Sequence, residues 1–389
     1  MRAVRLPYSR QNVNERDRLA VQEALKSQLI TQGPIVDAFE QEFAKRVNAE
    51  YAVAFSNGTA ALHACLACAG IGPGDEVITT PITFAATANA ALYCGAVPVF
   101  ADVRADGNID PGALCKAISK KTKALLPVHY SGRPCAMSEI HALARKHELA
   151  TVEDACHALG AKYKGRRIGS LRGTAMTVFS LHAVKHITSG EGGMVTTNSG
   201  RTARKLRAFR SHGAIYNQAC KRRGSWFYEI RSLGFNYRLS ELHAALGLSQ
   251  LRRMDGFLEK RRMLALRYEK LLGPDPRIRF LSDQAHAPGS YHLFPILLDT
   301  PRLIKQRKSV FDALRAEGIG VQVHYIPLPM QPHFQLNAGA EPGSVPNALD
   351  FYKREISIPL FPGMSEADQD SVVQALEKVL DHFDSRGDG

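Results

Sequence analysis

The chain has 389 residues, 45% apolar and 22% charged, with a formal net charge of +13. That length suits one large domain plus a smaller one, and the composition is ordinary for a globular protein. No run approaches the ~18 apolar residues of a membrane helix, and the opening MRAVRLPYSRQN lacks a signal peptide's apolar stretch, so a cytoplasmic protein with no membrane partner is expected.

The basic excess raises nucleic-acid binding. Residues 201–231 hold nine Lys/Arg against the single acid Glu229. No zinc-finger spacing or aromatic RNA-binding string accompanies them, and a basic surface also suits small polyanions such as nucleotide diphosphates. No nucleic-acid partner is therefore expected. Seven cysteines, an odd and scattered set, fit a reducing compartment. Cys65 and Cys68 form a CxxC inside an Ala-rich helical run, where they read as core residues; no metal site is expected.

In chain order, residues 14–27 and 34–48 have helical periodicity. Strands at 51–55, 76–79, 97–100, 124–128 and 149–152 alternate with helices at 58–69, 84–94, 110–118 and 137–147. Two more strands follow at 175–179 and 194–197. This rhythm predicts an α/β fold with a mostly parallel sheet covered by helices on both faces. In such sheets, ligands gather at the carboxyl ends of the strands. A long helix over 239–272 then connects to an α+β region: strand 293–298, helix 302–316, strand 321–324 and a last helix over 365–383. The reading divides the chain into a large domain, 1–255, and a small C-terminal one, 256–389, with a cleft between them.

Four strand ends carry chemistry. Ser56-Asn57-Gly58-Thr59 precedes an Ala-rich helix, whose N-terminus offers free N–H groups to a phosphate. Phe84 ends the run Thr80-Pro81-Ile82-Thr83, where it can lie over an aromatic cofactor. Asp154 closes a strand and can keep a ring nitrogen protonated, with His157 within reach of the same ring. Lys185 sits in a loop between strands, preceded by Ser180 and followed by Gly190-Glu191-Gly192-Gly193. A lysine held and desolvated there suits Schiff-base chemistry.

This order of motifs, together with residues 29–33, 234–241 and 323–327, resembles the DegT-type sugar aminotransferases, a fold type I family. The likeness runs from about residue 6 to 380. It implies a large domain with a mostly parallel seven-stranded sheet sandwiched by helices, and pyridoxal 5′-phosphate as cofactor, with pyridoxamine 5′-phosphate as its aminated form. It implies that Lys185 is catalytic and binds the cofactor. Asp154 would pair with the ring nitrogen and His157 would contact the O3′ side. Asn57, Gly58, Thr59, Phe84 and Ser180 complete the cofactor set. Asn236 would reach the cofactor of a neighbouring subunit, making a homodimer with shared sites.

Segments 79–89, 107–110, 180–193, 209–213 and 321–325 resemble the C4 aminotransferases of pseudaminic acid biosynthesis within that family. The implied reaction moves the amino group of L-glutamate to a UDP-4-keto-6-deoxy-N-acetylhexosamine. Its implied substrate contacts are Tyr8, Gln28, Leu29, Ile30, Thr31, His324, Tyr325, Ile326 and Pro327. His186, where proline is frequent, and Leu181, where phenylalanine is common, depart from that pattern. The alternatives are another nucleotide-linked 4-keto or 3-keto sugar and, more remotely, a non-catalytic regulatory or nucleic-acid-binding protein on the same fold.

Overall fold

The computed structural model describes residues 5–281 and 288–384. Seven strands form the main sheet: β1 (Tyr51–Phe55), β2 (Glu76–Thr79), β3 (Val97–Phe100), β4 (Thr122–Leu126), β5 (Ala150–Asp154), β6 (Met176–Ser180) and β7 (Gly193–Thr197). Their spatial order is β1–β7–β6–β5–β4–β2–β3. The pairs from β3 through β6 are parallel. Strand β7 runs antiparallel to both β6 and β1, so six strands point one way. This is the mostly parallel, seven-stranded sheet expected from the sequence.

The strands read as near-continuous apolar runs because both faces of the sheet are covered. Ile78 and Leu125 pack into one apolar layer. Val77, Ala124, Leu126 and Val152 pack into the other, with the helix Gly58–Cys68. That split is the two-residue alternation of a strand. Cys65 is fully buried in this second layer, and all seven cysteines are free thiols.

A second core draws on residues 264–380. It surrounds an antiparallel sheet of Ile278–Phe280, Phe294–Leu298 and Glu355–Ile358. Leu6 joins this region through a parallel bridge to Ile319.

Three expectations need correction. The long helix over 239–272 is two helices, Glu241–Leu251 and Met254–Leu272. Arg253 breaks it at φ −101°, ψ 1°, and its guanidinium is held by the Asn12 carbonyl at 2.9 Å and by Asp17. The helix over 302–316 likewise divides at Gln306 into Pro301–Lys305 and Arg307–Ala316. Residues 321–324 make only a single bridge, Gln322 to Ser357. The N–H groups of Val323 and His324 donate instead to the side chains of Gln322 and Glu355, so no ladder can propagate. The strand Glu355–Ile358, not foreseen from the sequence, pairs with Phe294–Leu298.

Candidate active site

The carboxyl ends of β1, β2, β4, β5 and β6 open onto a cavity of about 790 Å³. Asn57 caps the helix Gly58–Cys68, its side chain accepting from the Ala60 N–H at 2.8 Å. The remaining first-turn N–H groups have no intrahelical acceptor. Glycine lets this turn pack closely. A Cβ on Gly58 would lie 3.3 Å from Ser180 Cβ, and one on Gly193 would lie 2.3 Å from the Asn57 carbonyl oxygen.

Asp154, at the end of β5, is buried. One carboxylate oxygen accepts the Cys156 N–H at 3.1 Å. The other accepts the Thr87 hydroxyl at 2.7 Å, and Thr83 meets Thr87 at 2.8 Å. Beside it, His157 Nε2 pairs with the Tyr325 hydroxyl at 3.1 Å, while Nδ1 is buried and has no partner among the described residues. Burial, and then the nearby Lys185, hold this imidazole well below its usual pKa.

Lys185 faces the cavity and is otherwise enclosed. Its loop is pinned by backbone hydrogen bonds from Leu181 to Gly192, from Lys185 to His182 and from Ser189 to Leu181. Desolvation is the main cause that lowers the pKa of the amine; Cys156 and Asp154 oppose it. The amine lies 3.4 Å from His292 Nε2. Phe84 caps the next helix, Ala85–Tyr93. It is 64% exposed rather than in the core, and lies 6.4 Å from the Tyr325 ring.

The cavity thus brings together Tyr8, Asn57, Gly58, Thr59, Phe84, Asp154, His157, Ser180, Lys185, His324 and Tyr325. Asn236, Gln28, Leu29, Ile30, Thr31, Ile326 and Pro327 are not among the residues lining it. Asn236 pairs with Ser211, and Thr31 pairs with Ser240, on the outer surface. His186 and Leu181 are both buried, and His186 Nε2 donates to the Ser290 carbonyl at 3.1 Å.

Sequence reasoning missed Thr83 and Thr87, whose four-residue spacing at a helix start was a usable signal. It also missed Tyr93, Glu191 and Tyr237 in the lining, and His292. A lone histidine among apolar neighbours gives no sign of which cavity it meets.

An amine, a carboxylate fixed through both oxygens, an imidazole with a free nitrogen and an open helix N-terminus share one cavity. This donor set fits pyridoxal 5′-phosphate.

The model of the DegT/DnrJ/EryC1/StrS aminotransferase family matches residues 11–377, and the chain belongs to that family. It is 41% identical over 382 residues to the spore coat polysaccharide biosynthesis protein SpsC of Bacillus subtilis, covering 96% of this chain and 97% of that one. It is 37% identical over 382 residues to a Campylobacter jejuni UDP-4-amino-4,6-dideoxy-N-acetyl-beta-L-altrosamine transaminase, covering 96% and 98%. The solved structure of Helicobacter pylori PseC, described as an aminotransferase involved in the biosynthesis of pseudoaminic acid, superposes with a TM-score of 0.91 at 34% identity, covering 98% of this chain and 100% of that one. Spr1654 of Streptococcus pneumoniae, solved in a PLP form, superposes at 0.91 with 29% identity, covering 97% and 99%. The protein is a sugar aminotransferase, and its cofactor is pyridoxal 5′-phosphate.

Proposed function

We propose that the enzyme transfers the amino group of L-glutamate to C4 of a UDP-linked 4-keto-6-deoxy-N-acetylhexosamine, giving UDP-4-amino-4,6-dideoxy-N-acetyl-β-L-altrosamine. Full-length likeness to the Campylobacter jejuni transaminase supports this substrate. The desolvated Lys185 amine in the cavity supports the chemistry. When bound, the cofactor supplies a carbonyl that exchanges with amines and a ring that takes up electrons. Lys185 moves a proton at Cα of glutamate and at C4 of the sugar. Asp154, oriented by Thr87 and the Cys156 N–H, meets the ring nitrogen. Asn57, Gly58, Thr59 and Ser180 hold the phosphate, Phe84 covers the ring, and His157 faces its oxygen.

Asn236 and residues 28–31 lie outside their own cavity, which supports a homodimer in which they serve the partner's site. Residues 214–230 form a two-residue ribbon around the short helix Gln218–Arg223, with Trp226 78% exposed. This basic loop covers the neighbour's pyrophosphate. We take 1–255 as the cofactor-binding domain and 256–389 as the smaller one, on the separation of the two cores. Seven free thiols fit a cytoplasmic enzyme. Among the described residues, no helix is long and apolar enough to cross a membrane.

A panel of UDP- and dTDP-ketosugars with glutamate, and product analysis by mass and NMR, tests the substrate. A second reading, another nucleotide-linked 4-keto or 3-keto sugar, is favoured by the higher identity to the spore coat relative; its product would differ in the same experiment. Lys185→Ala should abolish turnover and the near-visible absorption of lysine-bound cofactor; persistence of that band would assign the anchor to another lysine. Charge reversal at Lys221, Arg222 and Arg223 should raise KM for the sugar nucleotide about ten-fold or more. An unchanged KM would remove the loop from the site.

A further inference from the structure

Behind Lys185, in a cluster of imidazoles, lies His292, which the reading above leaves without a role. His292 Nε2 stands 3.4 Å from the lysine amine, and among the described residues it is the hydrogen-bond partner the amine has. The His292 ring is buried, with centroids 4.5 Å from His157 and 5.4 Å from His186. Its backbone is fixed as well, because Arg261 donates to the carbonyls of Tyr291 and His292.

The tautomer of this ring follows from its other nitrogen. His292 Nδ1 is buried and meets no partner among the described residues. A proton there would be an orphaned N–H, the costlier kind of unmet group, whereas a bare nitrogen loses less. The proton therefore belongs on Nε2, which faces Lys185. An Nε2–H can only donate, and the lysine can accept only through the lone pair of a neutral amine.

We propose that His292 is a positioning residue: its Nε2–H holds the free amine of Lys185 by the lone pair, selecting the uncharged base over the ammonium and parking it whenever the lysine is not bonded to cofactor. The proposal rests on the role given to Lys185 above. A donor to the neutral form disfavours the charged one, which agrees with the lowered pKa of both groups, each led by burial. The other groups facing the pair are Asp154 and Cys156 after β5, His157, His186 in the lysine loop, His324, and Arg261 from the helix Met254–Leu272. Asp154 and Cys156 favour the ammonium, and Arg261 opposes it.

The test uses the full chain freed of cofactor. Pyridoxal 5′-phosphate is added across a pH series, and the rate at which the lysine-bound absorption appears is measured. His292→Phe keeps a ring without a donor; His292→Gln keeps an N–H donor. The midpoint of the pH–rate profile should rise by about one unit in His292→Phe, with a rate about ten-fold lower at neutral pH. His292→Gln should restore most of both. A wild-type profile in His292→Phe would overturn the proposal, as would equal losses in both variants. If His292→Phe fails to fold, His292→Leu, a second variant without a donor, decides: a midpoint raised by about one unit supports the role, and a wild-type midpoint overturns it. Lys185→Ala, run alongside, separates the two readings. If it still forms the band, the role of Lys185 fails, whatever His292 does.

Discussion

A buried carboxylate is stable only where donors meet its oxygens. Asp154 has one donor on each oxygen, and one of them is the Thr87 hydroxyl. Thr87→Val keeps the shape and removes that donor. It should destabilise the cofactor-free protein by about 1–3 kcal/mol in denaturant unfolding and also weaken cofactor retention on dialysis. Unfolding and retention at wild-type values would show that the Cys156 N–H alone holds the carboxylate. At this scale the convergence of Gly58, Asp154 and Lys185 on one cavity was legible in the sequence, because each residue type stands out at a strand end. The groups that aim them were not. Thr87 and His292 are ordinary residue types, given meaning by a distance across the fold.

Among the elements, the helix Met254–Leu272 carries an unusual load. Arg261 on it is fully buried, and burial lowers its pKa to about 10. Its guanidinium donates to the carbonyls of Tyr291, His292 and Leu360 at 3.0–3.2 Å. Arg261→Leu would take a donor from three buried carbonyls, so a loss of about 3 kcal/mol is expected. All three bonds come from one guanidinium nitrogen, Nη1, so Arg261→Lys, whose ammonium carries three N–H donors, should recover part of the loss; chemical unfolding of both variants checks this. The strands of the main sheet were legible because burial on both faces makes them apolar throughout. Residues 321–324, Val-Gln-Val-His, alternate as a strand does, yet side chains of Gln322 and Glu355 claim the N–H groups a ladder requires. The break at Arg253 was hidden for a similar reason: its cause, Asp17, lies far away in sequence.

For the molecule as a whole, acid should be the vulnerable side. His157, His186, His292 and His324 are buried, and each is held below the usual 6.5, first of all by burial. The unfolded chain then binds more protons than the folded one below about pH 6.5, so stability rises with pH in that range and falls as pH drops. Each group contributes up to about 1.4 kcal/mol per pH unit. Glu355, raised to about 8 by burial, acts in the opposite direction: its contribution is full below its unfolded value of 4.5 and lost as pH climbs toward 8. Four groups against one should give a steep decline in stability below pH 6.5. Urea midpoints between pH 4.5 and 8 check this, and a flat profile down to pH 5 would contradict it.

The carboxylate of Glu241 accepts from the N–H groups of Gly33, Ile35 and Val36, two hundred residues away in sequence. A Cβ on Gly33 would lie 2.7 Å from its oxygen, and the Glu241 N–H in turn reaches the Ile30 carbonyl. The stretch before Gly33 and the stretch before Glu241 are therefore a single rigid tile of surface. Evolution cannot redraw one half alone. A lineage that exchanged residues 28–31 would have to keep this clasp, or change both halves together, and a chimera joined between them would inherit two edges that no longer meet.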